Sequence, residues 1–173
     1  KNYRPVSNLP WFGKIVETAV AEQIKRHLTQ NDLLDPLQSA YRAGHSTESA
    51  MLKIKTDIDL MLDDGDAALL VLLDLSAAFD TIDHEILLER LKKDVGIEGA
   101  ALKWLKSYLE NRWQSVSIRG TVSEPKQLKV GVPQGSVLGP LLFLIYVNPL
   151  RKVIDKYDLY RHSYADDIQL YTR

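Results

Sequence analysis

Two adjacent carboxylates, Asp166 and Asp167, sit in a short polar break, Tyr164-Ala165-Asp166-Asp167, between apolar stretches. Ninety-two residues before Asp166, a third carboxylate, Asp74, ends the apolar run 67–73. Carboxylate oxygens are hard donors. Three acids on two strand-like segments are the raw material of a magnesium site for phosphoryl transfer. An Asp-Asp pair alone signals no more than a turn, because Asp bonds its own backbone and tolerates left-handed conformations. Its weight comes from the residues around it.

The elements that must carry these acids are legible from periodicity. Ile15, Val16, Ala19, Val20, Ile24 and Leu28 follow helical spacing and predict a first helix that ends near 29–31. Segment 38–44 reads as strand or loop. Ser46 or Thr47 caps a second helix with Ala50, Met51, Ile54, Ile58, Met61 and Leu62 on its apolar face, and 63–66 turn the chain. The run 67–73 shows no alternation, which predicts a central strand buried on both faces. Asp83 caps a third helix, and Ala101, Leu102, Leu105, Tyr108 and Leu109 mark a fourth. Trp113, Val116 and Ile118 predict a strand, Gly120 a turn, and Leu128, Val130 and Val132 the antiparallel return. The polar break 131–136 opens into an apolar helix over 137–147, with Pro140 near its first turn. Trp11, Trp104 and Trp113 are expected to anchor cores.

Composition sets bounds. The 173 residues, 45% of them hydrophobic, suffice for one domain or two lobes sharing a core. Cysteine is absent, which excludes disulfides and thiolate zinc sites, and the four histidines lack metal-ligand spacing. No apolar run is long enough to span a bilayer, so no membrane partner is expected. The formal charge of −1 hides an uneven distribution. Residues 56–98 carry twelve acidic and three basic groups, whereas 99–173 carry eleven basic and six acidic. A metal-binding centre with phosphate-gripping flanks would look like this, although Asp57, Asp59, Asp63, Asp64 and Asp66 read as a solvated helix face and turn.

Five segments, in order, resemble the reverse transcriptase domain of non-LTR (LINE-like) retrotransposons. They are Tyr3-Arg4-Pro5-Val6-Ser7, the stretch from Gln38-Ser39-Ala40-Tyr41-Arg42 to Thr47, Leu73-Asp74-Leu75-Ser76-Ala77-Ala78-Phe79-Asp80, the Pro133-Gln134-Gly135 loop with its helix, and Tyr164-Ala165-Asp166-Asp167. The resemblance implies an α+β right-hand polymerase of fingers and palm, with an antiparallel palm sheet packed on helices and the thumb absent. Residues 1–66 would be fingers and 67–173 palm, with a fingers hairpin near 112–132. It implies RNA-directed DNA polymerase activity: two Mg2+ ions, replaceable by Mn2+, would transfer a nucleotide from a dNTP to a DNA primer 3′-OH on an RNA template.

By the same resemblance, Asp74, Asp166 and Asp167 are the catalytic carboxylates, and they and the backbone oxygen of Leu75 are the metal ligands. Arg42, Phe79 and Gln134 face the nucleotide, with Phe79 as a steric gate against a 2′-hydroxyl. Arg4 and Tyr164 face template or primer, and Lys53 is a further candidate for phosphate. Asp80 reads as a structural or capping group. The chain reads as truncated at both ends, part of a longer polypeptide with a thumb and an endonuclease as candidate neighbours. Alone, it is expected to be inactive or weak. Two alternatives stand beside this reading: a catalytically inactive remnant or RNA-binding scaffold, and an RNA-dependent RNA polymerase. Phe79 and the Ala165 form of the turn argue against the last.

Overall fold

The computed structural model describes residues 6–173, so Arg4 and the start of the first motif lie outside the described residues. The chain divides into two compact units, each of which interleaves two stretches of sequence.

One unit joins the segment up to Leu33 to Phe79–Tyr146. It contains α1 (Trp11–Gln30), α3 (His84–Lys93), α4 (Gly99–Leu109) and α5 (Leu138–Val147). The periodic apolar positions are buried only in part. Ile24 and Leu28 of α1 are buried, but Ile15 and Val16 of α1, like Met51 and Leu62 of the second helix, are exposed. Spacing marks a face and does not supply the neighbour that covers it. Leu28, Leu87, Leu91, Leu105, Leu109, Leu138 and Leu142 are all fully buried. Asp83 caps α3 by accepting the Ile86 N–H at 3.0 Å. Helix α5 is apolar around its whole circumference and is correspondingly buried. Its first backbone donors are satisfied by Glu17 of α1, whose Oε2 accepts from Val137 N–H at 2.8 Å and Leu138 N–H at 3.0 Å. A buried carboxylate at a helix N-terminus is favoured by both the free N–H groups and the helix dipole. The expected hairpin is present in part and in two pieces: Val130 and Val132, expected in its return strand, lie outside it, with Val130 bridging Asp83 and Val132 N–H bonding Phe79 O. Strand β2 (Arg112–Gln114) pairs antiparallel with β5 (Lys126–Leu128), and β3 (Ser117–Ile118) pairs with β4 (Thr121–Val122).

The other unit joins Leu34–Ala78 to Val147–Arg173. It contains α2 (Thr47–Asp63), the short α6 (Leu150–Ile154), a 3-10 turn (Asp155–Tyr157) and a three-stranded antiparallel sheet. The sheet order is β1 (Leu69–Asp74), β7 (Asp167–Thr172), β6 (Tyr160–Tyr164). Ser46 caps α2 through a reciprocal capping box with Ser49. Ile54 and Met61 of α2 pack with Tyr171 of β7, flanked by Ile58 and Ala68. Segment 37–39 adds to the outer edge of β6 in parallel fashion: Ser39 N–H donates to Ser163 O at 2.9 Å, and Ser163 N–H to Leu37 O at 2.9 Å.

Two expectations are corrected. The run 67–73 is not a central strand. Strand β1 lies at the edge of the sheet, with Leu72 70% exposed and Leu69 61%. The lack of alternation reported apolar character on both faces, but covering each face requires a neighbour that the strand's own sequence does not specify. Nor are all three tryptophans anchors: Trp11 is 73% exposed and Trp113 63%, while Trp104 is half-buried and stacks on Tyr108. Among the described residues, no helix is long and apolar enough to cross a membrane.

Candidate functional site

The antiparallel register is the central geometric fact. Strand β7 pairs with β1 so that Asp74 lies opposite Asp167, and with β6 so that Tyr164 also lies opposite Asp167. Directly paired residues of an antiparallel ladder sit about 4.5–5.5 Å apart at Cα and project to the same face. Ninety-odd residues of intervening chain therefore end with two carboxylates on neighbouring strands at one register position. Asp166 is the residue before, in the turn.

That turn is a two-residue connection, Ala165-Asp166, with Ala165 at φ +56°. A positive φ at the first loop residue suits the twist of a tight hairpin, yet for a residue with a Cβ it is a sparsely populated conformation. Asp74 and Asp167 are exposed and Asp166 is half-buried. Leu75, next to Asp74, is half-buried and leads into a turn. Tyr41, also at positive φ, stands near the pair. Burial raises its hydroxyl pKa above the usual tyrosine value, and the Asp166 carboxylate and Tyr164 raise it further.

Among the described residues, no three His, Cys, Asp or Glu side chains stand close enough together to form a ready metal cage. The donor set still suits magnesium. It is all oxygen, and two of its members share one register position. Magnesium is held by one or two carboxylates plus substrate phosphates rather than by an all-protein cage. Two carboxylates 4 Å apart at an effective dielectric near 20 repel by about 4 kcal/mol, so bare acids favour separation.

Arg42 commits Nη1 to two backbone carbonyls, Asp35 at 2.7 Å and Gln38 at 3.2 Å. Lys53 pairs with Asp57 one helical turn along α2. Asp57 in turn accepts from the Tyr171 hydroxyl. Burial raises the Asp57 pKa, but the bonds from Lys53 and Tyr171 outweigh it and leave the carboxyl below its ordinary value.

Phe79 and Gln134 belong to the unit that holds α5. There the glycine loop is fastened onto the segment 79–84: Gly131 N–H donates to Ile82 O at 2.7 Å, and Val132 N–H to Phe79 O at 2.8 Å. His84 Nε2 lies 2.8 Å from Gly131 O. Gly131 has φ +86°, and a Cβ there would meet the Asp80 carbonyl oxygen at 2.9 Å, so only glycine fits without displacement. Gln134 donates from Nε2 to Asp80 Oδ2 at 3.0 Å, and its carbonyl accepts from Ser7 N–H at 2.9 Å. Asp80 and Gln134 open onto a cleft of about 510 Å³ shared with Ser7, Arg112 and Lys129. Phe79 is half-buried and stacks on the buried Phe143, ring centroids 5.1 Å apart. Its ring is thus at least partly a core group.

Sequence reasoning did not single out Gln38, Ser39 or Glu17. Their partners lie 120 or more residues away, beyond the reach of any local pattern.

The whole chain, residues 1–173, matches the family described as reverse transcriptase (RNA-dependent DNA polymerase). It is 34% identical over 175 residues to the probable RNA-directed DNA polymerase from transposon BS of Drosophila melanogaster, covering 98% of this chain and 19% of that protein. It is 32% identical over 181 residues to the RNA-directed DNA polymerase from mobile element jockey of the same species, covering 99% and 19%. Among solved structures, an apo telomerase from Candida tropicalis truncated from its C-terminal domain aligns with a TM-score of 0.67 at 16% identity, over 90% of this chain and 34% of that one. That last likeness is one of fold: helices with antiparallel sheet. The chain belongs to the reverse transcriptase family, in its non-LTR, LINE-like branch. It spans about a fifth of the length of the curated relatives it matches.

Proposed function

We propose that this chain carries the nucleotidyl-transfer site of an RNA-directed DNA polymerase, with DNA primer, RNA template and dNTPs as substrates. The observation that carries the reading is the β1–β7 register, which sets Asp74 against Asp167 and one residue from Asp166. Asp74, Asp166, Asp167 and the Leu75 carbonyl supply oxygen ligands for two Mg2+ ions, for which Mn2+ can substitute. When bound, such ions activate the attacking hydroxyl and neutralise charge on the leaving pyrophosphate. In the transfer, the primer 3′-hydroxyl gives up its proton to solvent, its oxygen bonds to the α-phosphorus, and the bond to the bridging oxygen breaks to release pyrophosphate.

The protein's own groups orient the partners. Phe79 bounds the sugar of the incoming nucleotide, and Gln134, anchored through Asp80, lines the approach to the nascent pair. Arg42 keeps nitrogens beyond Nη1 for the triphosphate. Tyr164 and Arg4 contact primer or template. In this reading residues 1–66 act as fingers and 67–173 as palm, with the hairpin near 112–132 returning to the fingers.

Supplying a primed RNA template with dNTPs or with rNTPs, to a polypeptide containing this chain, tests the reading. Magnesium-dependent extension with dNTPs alone is expected. Extension with rNTPs would favour an RNA polymerase, and RNA binding without any extension would favour a scaffold.

A further inference from the structure

Ala165 holds a conformation that a residue with a Cβ seldom adopts, at the turn that presents Asp166. Such positions cost of order 1–3 kcal/mol and persist only where surrounding contacts over-determine them. Besides the Tyr164–Asp167 pair that closes the turn, one side chain supplies constraining contacts here. Gln38 is 6% exposed, and its carboxamide grips both backbone groups of Ala165. Oε1 accepts the Ala165 N–H at 2.9 Å, and Nε2 donates to the Ala165 carbonyl at 3.2 Å. Oε1 also accepts the Ala40 N–H at 3.0 Å, which fixes the amide against its own segment.

The backbone of Gln38 is held as firmly. It bridges Ser163 of β6 in parallel, and its carbonyl accepts from Arg42. Ser39, next along, meets His162 at 2.9 Å. A backbone N–H and C=O at a hairpin tip would ordinarily turn to water. Here a buried amide replaces the water and ties the tip to a segment 127 residues away.

We propose that Gln38 is a positioning residue for the metal site: by clamping Ala165 it fixes the turn from which Asp166 reaches the ions. The inference rests on the reading of Asp74, Asp166 and Asp167 as metal ligands. Gln38 touches neither metal nor substrate and acts only through the turn. The Arg42 bonds to the carbonyls of Asp35 and Gln38 then brace the same segment.

The test is made on the 173-residue chain by amide NMR, with Mn2+ alone as the probe. Two quantities are read: hydrogen-exchange protection of the Ala165 N–H, and the Mn2+ concentration that broadens the amides of residues 164–168. Gln38→Met should abolish the protection and raise the Mn2+ midpoint about fivefold, the worth of roughly one net hydrogen bond. Ser39→Ala removes a contact of the same segment that does not reach the turn, and should leave both quantities unchanged. Asp166→Asn should abolish the local broadening while keeping the Ala165 protection.

If Asp166→Asn abolishes broadening but Gln38→Met changes neither quantity, the clamp is refuted and the metal site stands. If Ser39→Ala shifts the Mn2+ midpoint as far as Gln38→Met, general loosening explains the effect and the proposal fails. If Asp166→Asn leaves the broadening intact, the metal-site reading falls and the clamp's role with it. Should Gln38→Met not fold, Gln38→Glu decides. It keeps the acceptor for Ala165 N–H, so protection must survive at that amide, and its loss there would overturn the clamp.

Discussion

At the residue scale, the proposed site turns on carboxylates whose mutual repulsion a bound cation would relieve. Asp74 and Asp167 share a register position and Asp166 adjoins them. Without metal, removing one charge removes repulsion and leaves no buried group unpaired. We therefore predict that Asp166→Asn melts at the same temperature as the parent or higher in metal-free buffer, as read by calorimetry. A clear drop would mean that Asp166 has a structural partner. Phe79 makes a different claim. Its stacking on Phe143 gives it a packing role, and the proposed gate adds contact with the sugar. Phe79→Ala is expected to raise ribonucleotide incorporation relative to deoxyribonucleotide by at least about tenfold, the discrimination a steric contact of this size supplies. A variant that loses stability without changing this ratio would assign Phe79 to the core alone.

At the element scale, local rules predicted local features well. A cap at Ser46 or Thr47, the cap at Asp83, the extent of α2 and the all-apolar α5 were legible because capping and periodicity are written within a few residues. Burial of β1 was not legible, because a strand with two apolar faces says nothing about which neighbour covers them. The brace of segment 37–39 on β6 was hidden for the same reason: it joins residues more than 120 positions apart. The loop at Gly131 was legible as a polar break, but its close approach to the Asp80 backbone was not. Gly131→Ala should destabilise the chain by about 2 kcal/mol, or roughly 4–8 °C in melting temperature, from strain at positive φ and collision with the Asp80 carbonyl. An unchanged melting curve would show that the 79–84 contact is dispensable.

Strand β6 also carries a pH dependence. His162 is 5% exposed. Burial lowers its pKa below the ordinary histidine value. Lys53 and His45 push the same way, and Asp35 and Asp57 partly offset them. The unfolded chain therefore binds a proton before the folded one does, and stability must fall as pH drops below about 6.5. Asp57 acts in a separate window. Its lowered pKa stabilises the fold above the ordinary carboxylate value and ceases to do so only below about pH 4. Melting temperatures between pH 7.5 and 5 should decline for the parent and decline less for His162→Gln. Equal slopes would place the titrating group elsewhere.

At the scale of the whole molecule, charge segregation is as informative as any motif. The acidic stretch 56–98 includes Asp74, while basic groups dominate 99–173, so the formal charge of −1 conceals an uneven distribution along the sequence. Affinity for nucleic acid comes mostly from phosphate neutralisation and falls steeply with salt. With twelve acids against three bases in 56–98, the isolated chain is expected to bind primer-template weakly, and any products to be short. Filter binding from 50 to 300 mM salt, with product-length analysis, checks this. Long products from the isolated 173-residue chain at the upper salt would contradict it. The family was legible in the sequence because five motifs occur in order. The interleaving of two compact units was not, since it depends on which distant segments pair.

Steady-state primer extension on an RNA template, with dNTPs and magnesium, by a polypeptide containing this chain and by its Asp74→Asn counterpart, tests the central claim most directly. We predict template-directed DNA synthesis by the parent and a loss of at least about a thousandfold in the variant, the several kcal/mol that metal-held charge stabilisation contributes. Synthesis by Asp74→Asn at a rate close to the parent's would contradict the assignment of β1 and β7 as the strands that hold the reacting centre.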